Sequence, residues 1–125
     1  MRRLAVLLVL AATLVGCGGS GNHVFSRVKT RDCIVSKGGR IGGRLDFIAS
    51  TATGGAFKAR IGTNSVRVVF GLTQNDAHQI ELAYTRAAGK NIGIGDVLAR
   101  RLNVVLLWSA HPSDEQLATV AQCLK

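Results

Sequence analysis

The feature that most limits how this chain can fold is a short apolar run at its N-terminus. Arg2 and Arg3 precede residues 4–15, which are apolar or nearly so. A positive start followed by a run of this length is typical of a secretory signal peptide, and the run is too short to cross a bilayer as a helix. The sequence therefore predicts that the first residues are removed and that the remainder folds outside the cytoplasm.

A second motif lies where the apolar run ends. Residues 14–17 read Leu-Val-Gly-Cys and resemble the lipobox of bacterial lipoproteins. In that family the cysteine thiol receives a diacylglyceryl group, the signal peptide is cut just before it, and the new amino terminus is commonly acylated. The resemblance covers residues 1–17 and implies that Cys17 is lipidated and that residues 1–16 are removed.

The resemblance also implies a location and a domain organisation. Cys17 and the Gly/Ser-rich residues up to 22 would form a lipidated, flexible tether, and residues 23–125 a single domain. The implied location is the cell membrane or outer membrane, on the extracytoplasmic side. An ordinary secretory signal and an uncleaved membrane anchor are the alternative interpretations, and the sequence does not distinguish a Gram-positive from a Gram-negative host.

Cysteine parity supports the lipobox. The chain has three cysteines, so lipidation of Cys17 leaves Cys33 and Cys123 as an even pair in an oxidising compartment. We expect these two to form a disulfide that joins the ends of the domain. A redox or metal role is less favoured, because the chain has no Cys-x-x-Cys motif and no histidine close in sequence to either cysteine.

Hydrophobic periodicity predicts an α+β domain with the order α-β-β-β-α-β-β-α. The expected elements are a helix over residues 23–37, strands around 45–49, 57–61 and 66–70, a helix opened by Thr73 and closed by Gly89, a strand around 97–99, a buried strand over 104–108 and a helix opened by Ser113. A short helix is the alternative for part of 91–103. We expect a small antiparallel sheet with helices packed on one face.

Signals for catalysis are weak. The three histidines share no spacing typical of metal ligands, and neither a Gly-x-Ser-x-Gly elbow nor a phosphate-binding lysine loop occurs. Residues 38–43 contain four glycines, with Arg40 and Arg44 close by. Their amides could bind an anion, although a helix end followed by a loop is the favoured interpretation. The sequence therefore predicts a protein that is not an enzyme and that uses no cofactor and no metal.

Strand alternation predicts a basic patch. If Phe57 and its apolar neighbours on the strand face the helices, the cations between them face away. The patch would consist of Arg44, Lys58, Arg60 and Arg67. An ordinary solvated face is the alternative. With a formal net charge of +9 and only 5% aromatic residues, the chain suits an anionic lipid or wall polymer better than a nucleic acid.

These features predict a surface-tethered envelope lipoprotein that acts as a small binding module. Its expected partners are the membrane, reached through the lipid on Cys17, and another envelope protein. The alternative function is that of an accessory or sensory protein, which recognises anionic envelope components through the basic sheet face.

Overall fold

The computed structural model describes residues 23–91 and 93–125, so the lipobox and the tether lie outside the described residues. The helices are α1 (Arg27–Ser36), α2 (Phe47–Ser50), α3 (Gln74–Ala88), α4 (Ile94–Val97) and α5 (Asp114–Cys123). The strands are β1 (Arg40–Ile41), β2 (Ala56–Ile61), β3 (Asn64–Phe70), β4 (Leu98–Arg101) and β5 (Val104–Trp108). All pair antiparallel in the sheet order β1-β2-β3-β5-β4. The predicted α+β class and element order are confirmed, with the one-turn helices α2 and α4 added.

Local capping explains where the longer helices begin. The Thr73 hydroxyl accepts a hydrogen bond from the amide of Asp76, and Ser113 forms a capping box with Gln116. These contacts satisfy amides that have no partner within the helix. Gly89, at φ 58°, ends α3 in a backbone region that favours glycine. Both helices therefore start where the sequence predicts, and α3 also ends at its predicted glycine.

One face of the sheet packs against α1 and α5. Alternate residues of β2 and β3, among them Phe57 and Val68, join Ile34 of α1 and Val120 of α5 in the larger core. We call this the α1/α5 face. Ile34 and Val120 are almost fully buried, so the two helices cover the sheet closely.

The opposite face also carries helices, which differs from the expected one-sided packing. Val69, Val105 and Leu107 contact Ile80 and Tyr84 of α3 in a second core, to which α2 also contributes. We call this the α2/α3 face. The reason is that the central strands are apolar on both sides: every residue of β5 is buried, which matches the predicted interior strand.

Two predicted details of the first half are wrong. Residues 45–49 form no strand, because the Asp46 carboxylate accepts a hydrogen bond from the amide of Ala49 and thereby starts α2. The first strand is instead β1, next to β2. The helical spacing of Val28 and Val35 also predicts that they share the apolar side of the first helix, but both are exposed, whereas Thr30 and Ile34 are buried.

The predicted pairing of Cys33 with Cys123 is confirmed. Their sulfurs lie at bonding distance, their Cα atoms are 5.3 Å apart, and they are separated by 90 residues in sequence. The bridge joins α1 to α5 on the outer layer of the α1/α5 face. The strand favoured around 97–99 is also present as β4, and Leu102, at φ 50°, turns the chain into β5.

None of the helices within residues 23–91 and 93–125 has the length and apolar character needed to cross a membrane.

Candidate anion-binding surface

Three cations on β1 and β2 lie together on the part of the α2/α3 face that the helices leave open. Arg40 pairs with Arg60 across the two strands, and Lys58 lies two residues from Arg60 on the same face of β2. Both arginines are exposed and Lys58 is half-buried. We call Arg40, Lys58 and Arg60 the basic strip.

The basic strip is not neutralised from within the described part of the chain. No carboxylate there lies within ion-pair distance of any of its three side chains. Glu115 of α5 lines a neighbouring cleft together with Lys37, without pairing with the strip. The cations therefore face solvent with their charge uncompensated.

A shallow concavity of about 340 Å³ separates the two arginines, and its walls are Gly38, Arg40, Arg60 and Gly62. Gly38 has φ 91° and Gly62 has φ 61°, values that residues with a side chain rarely adopt. Neither glycine contributes a side chain to the concavity. Two guanidinium groups facing one concavity suit an oxyanion, since each can donate a pair of hydrogen bonds.

Strand alternation predicts that Arg67 is part of the patch, but unlike the three cations of the basic strip it has a carboxylate partner in the described part of the chain. It pairs with Lys58 across β2 and β3, but its Nε lies 3.3 Å from an oxygen of Asp46 and its side chain is only 31% exposed. The Nε meets the distance for an ion pair without the geometry of a hydrogen bond. Arg67 is therefore largely neutralised and holds the loop before α2 against the sheet.

Tyr84 completes this half-buried contact. Its hydroxyl lies 3.0 Å from both oxygens of Asp46 and donates to that carboxylate. Burial raises the pKa of the Tyr84 phenol well above its ordinary value, and the hydrogen bond to Asp46 raises it further. The phenol therefore stays protonated as a donor, and the cluster of Asp46, Arg67 and Tyr84 is a structural one.

Arg44 lies on the same side of the molecule as the basic strip, although it does not reach this side by strand alternation as predicted. It is exposed in the loop between β1 and α2 and is not part of a strand. That loop lies against β2, because the amide of Gly42 donates to the Lys58 carbonyl and Gly43, at φ 117°, packs on the aliphatic part of Lys58. Arg44 thus adds a further cation beside the strip.

Sequence reasoning missed Arg40 as a member of the patch. It notes this arginine only in a glycine-rich loop, because a strand of two residues is too short to show alternation. No local signal identifies it, because β1 is defined by its pairing with β2.

Sequence reasoning also missed an apolar feature on α2. Phe47, expected on the apolar side of a strand, is 80% exposed. It stands between two shallow clefts. The first, about 290 Å³, lies between α2 and α3, and the second, about 350 Å³, extends to Arg67 and Leu107.

The described residues contain no group of three or more histidine, cysteine or acidic side chains placed to hold a metal ion. His78 Nδ1 lies 3.8 Å from Glu81 on the surface of α3, and Glu81 also pairs with Arg100. These contacts are typical of a solvated helix face.

No protein-family model matches this chain, and neither the curated proteins nor the solved structures contain a match.

Proposed function

We propose that this protein is a lipid-anchored module on the extracytoplasmic side of the cell envelope, which binds anionic surfaces through the basic strip and does not catalyse a reaction. The observation that carries the proposal is the clustering of Arg40, Lys58 and Arg60 on one open surface, with no carboxylate partner among residues 23–91 and 93–125. Uncompensated cations keep the local potential positive and attract phosphate groups over about a Debye length, ~8 Å at physiological salt.

Each cation contributes only a modest attraction, but the three cations of the basic strip together contribute enough to support binding. A Lys or Arg near an anionic surface contributes about 1 kcal/mol, so the strip supplies about 3 kcal/mol. Arg44 adds to this, whereas Arg67 is already compensated by Asp46. A lipid anchor would make even weak binding effective, because it holds the module at a high local concentration near its target.

The first described residues support an arrangement in which the domain stays close to the surface that carries its lipid. The side-chain amide of Asn103, in the buried turn between β4 and β5, accepts from the backbone of Phe25 and donates back to it. The chain is therefore fixed to the sheet from Phe25 onwards. The expected spacer of residues 18–22 reaches roughly 12 Å as a random coil, so an anchored domain would remain at the surface that carries its lipid.

The test is salt-sensitive binding by the unlipidated chain of residues 18–125, which retains both cores and the disulfide. Suitable probes are phosphatidylglycerol vesicles and soluble poly(glycerol phosphate). Wild type should bind both at about 0.1 M salt and lose binding towards 1 M, as the Debye length falls from ~10 to ~3 Å. Arg40→Glu/Arg60→Glu should bind about 30-fold more weakly or worse, since two attractions of about 1 kcal/mol become repulsions.

The matched control is Lys29→Glu/Arg101→Glu. It makes the same change in net charge, but Lys29 lies on α1 and Arg101 alternates onto the α1/α5 face. If this control loses as much binding as the strip variant, the protein responds to net charge alone. That result, or a wild type with no salt-sensitive binding, would overturn the proposed function.

A further inference from the structure

Phe47 is held in an exposed position by contacts that fix the helix beneath it. Ala49, two residues further along α2, is 1% exposed and lies in the second core. Asp46 caps the helix while it contacts Arg67 of β3 and Tyr84 of α3. The 80% exposure of Phe47 is therefore a property of a fixed backbone segment.

The surroundings of Phe47 are apolar on two sides. The first cleft places Ile80 and Ala83 of α3 beside Phe47, with Asp76 at its edge, where that carboxylate accepts from the Thr53 hydroxyl. The second cleft adds Leu107 of β5. Single exposed apolar residues are common on protein surfaces, but an exposed aromatic ring between two apolar clefts offers a continuous surface to an apolar partner.

Cations border this apolar surface. Arg44 comes three residues before Phe47, in the loop whose Gly43 packs on Lys58. Arg67 lies in the second cleft itself. Two acidic groups lie near Phe47: Asp46 is paired with Arg67, and Asp76, at the edge of the first cleft, accepts from the Thr53 hydroxyl. An aromatic side chain thus projects from the same face as an uncompensated basic strip.

We propose that Phe47 inserts into the interfacial region of an anionic phospholipid bilayer. The apolar walls of its two clefts then face the bilayer, and the basic strip contacts the headgroups. This inference rests on the proposed function and names its partner. A wall polymer offers phosphates but no hydrocarbon, so it gives Phe47 nothing to bury against. A bilayer offers both, and an apolar side chain flanked by cations is the pattern of surface-bound membrane segments.

Tryptophan quenching in the mature, lipidated protein tests the insertion directly. Phe47→Trp, reconstituted into phosphatidylglycerol vesicles with brominated acyl chains, should lose emission intensity and shift to shorter wavelength. Leu117→Trp is the matched control, because Leu117 is exposed on α5 at the opposite face. The native Trp108 is 3% exposed and supplies a constant background. Both variants carry the same lipid anchor, so a difference in quenching between them reports the orientation of the domain.

Affinity measurements on the unlipidated chain separate this inference from the proposed function. Phe47→Ala should weaken binding to anionic vesicles about tenfold, as expected for an aromatic ring that leaves water on binding. It should leave binding to poly(glycerol phosphate) unchanged. Arg40→Glu/Arg60→Glu should weaken both.

Several outcomes would overturn the insertion. Equal quenching at positions 47 and 117 would do so, as would a Phe47→Ala variant that binds vesicles like wild type. Quenching at 47 that persists in Arg40→Glu/Arg60→Glu would leave the insertion standing and would overturn the inferred role of the basic strip in orienting the domain. In each case salt-sensitive binding of wild type to poly(glycerol phosphate) would still support the proposed function. If wild type does not bind this polymer, both the proposed function and the membrane insertion are overturned.

Discussion

At the scale of single residues, Asp46 shows how a distant partner changes what a local pattern means. By alternation, residues 45–49 predict a strand with Asp46 on its polar side. In the structure the Asp46 carboxylate caps α2, accepts from Tyr84 and lies beside Arg67. These partners come from α3 and β3, so nothing local to Asp46 distinguishes a cap from a strand residue.

The Tyr84–Asp46 hydrogen bond predicts a loss of stability in alkali. The folded state raises the pKa of Tyr84 above its ordinary 10.0, so an unfolded chain releases this proton first as pH rises. Its contribution to the free energy of unfolding should be complete below about pH 10 and should decline above that value. Tyr84 is the single tyrosine of the chain. The decline should therefore be absent in Tyr84→Phe.

Urea unfolding of both proteins between about pH 8 and pH 11 measures this effect. The stability advantage of wild type over Tyr84→Phe should shrink as pH increases. Parallel pH profiles would contradict the prediction.

At the scale of elements, the sequence is informative where a segment is long enough to repeat its pattern. β2, β3 and β5 lie where alternation or a continuous apolar run predicts them, and α3 and α5 begin at their predicted caps. The two-residue β1 and the one-turn α2 are too short for periodicity to detect. Pairing with β2 creates β1, so the element that adds Arg40 to the basic strip exists only in the folded sheet.

The bridge between α1 and α5 predicts a large effect on stability. Both are ten-residue helices on the outer layer, and the disulfide closes a long loop, which restricts the unfolded chain. Removing both cysteines as Cys33→Ala/Cys123→Ala should lower the free energy of unfolding by about 2–5 kcal/mol. Urea unfolding of the oxidised protein, the reduced protein and this variant measures the loss.

Reduced wild type serves as the control for the side-chain changes, and it should unfold at nearly the same urea concentration as the double variant. If oxidised and reduced wild type unfold together, the bridge contributes no stability and this expectation is wrong.

At the scale of the whole molecule, the two faces of the sheet have different surfaces. The α1/α5 face is closed by two helices and a disulfide, whereas the α2/α3 face leaves the basic strip and Phe47 open. On the proposed function, this asymmetry would give the domain one face with which to meet an anionic bilayer. The proposed role therefore depends on the anchor as much as on the fold.

The proposed anchor predicts that Cys17 carries lipid in the native host. Cys17→Ser should accumulate as an unprocessed precursor without incorporated fatty acid, because the thiol that receives the diacylglyceryl group is missing. Intact-mass analysis of membrane fractions measures this directly. Cys33→Ser, which leaves the lipobox unchanged, should still be lipidated. A native protein whose Cys17 is unmodified would refute the anchor.

By itself the sequence determined the α+β class, the principal strands, the caps of α3 and α5, and the cysteine pair that remains once Cys17 is set aside. These follow from residue types at short spacing and from parity, which no distant contact alters. Only the tertiary structure decided which cations are free. Asp46 compensates Arg67, and β2 recruits Arg40 by strand pairing. The contacts of Asp46 with Tyr84 and Arg67 fix α2 in a position that leaves Phe47 exposed. Charge compensation and exposure depend on partners far apart in sequence, so folding sets them and local pattern does not.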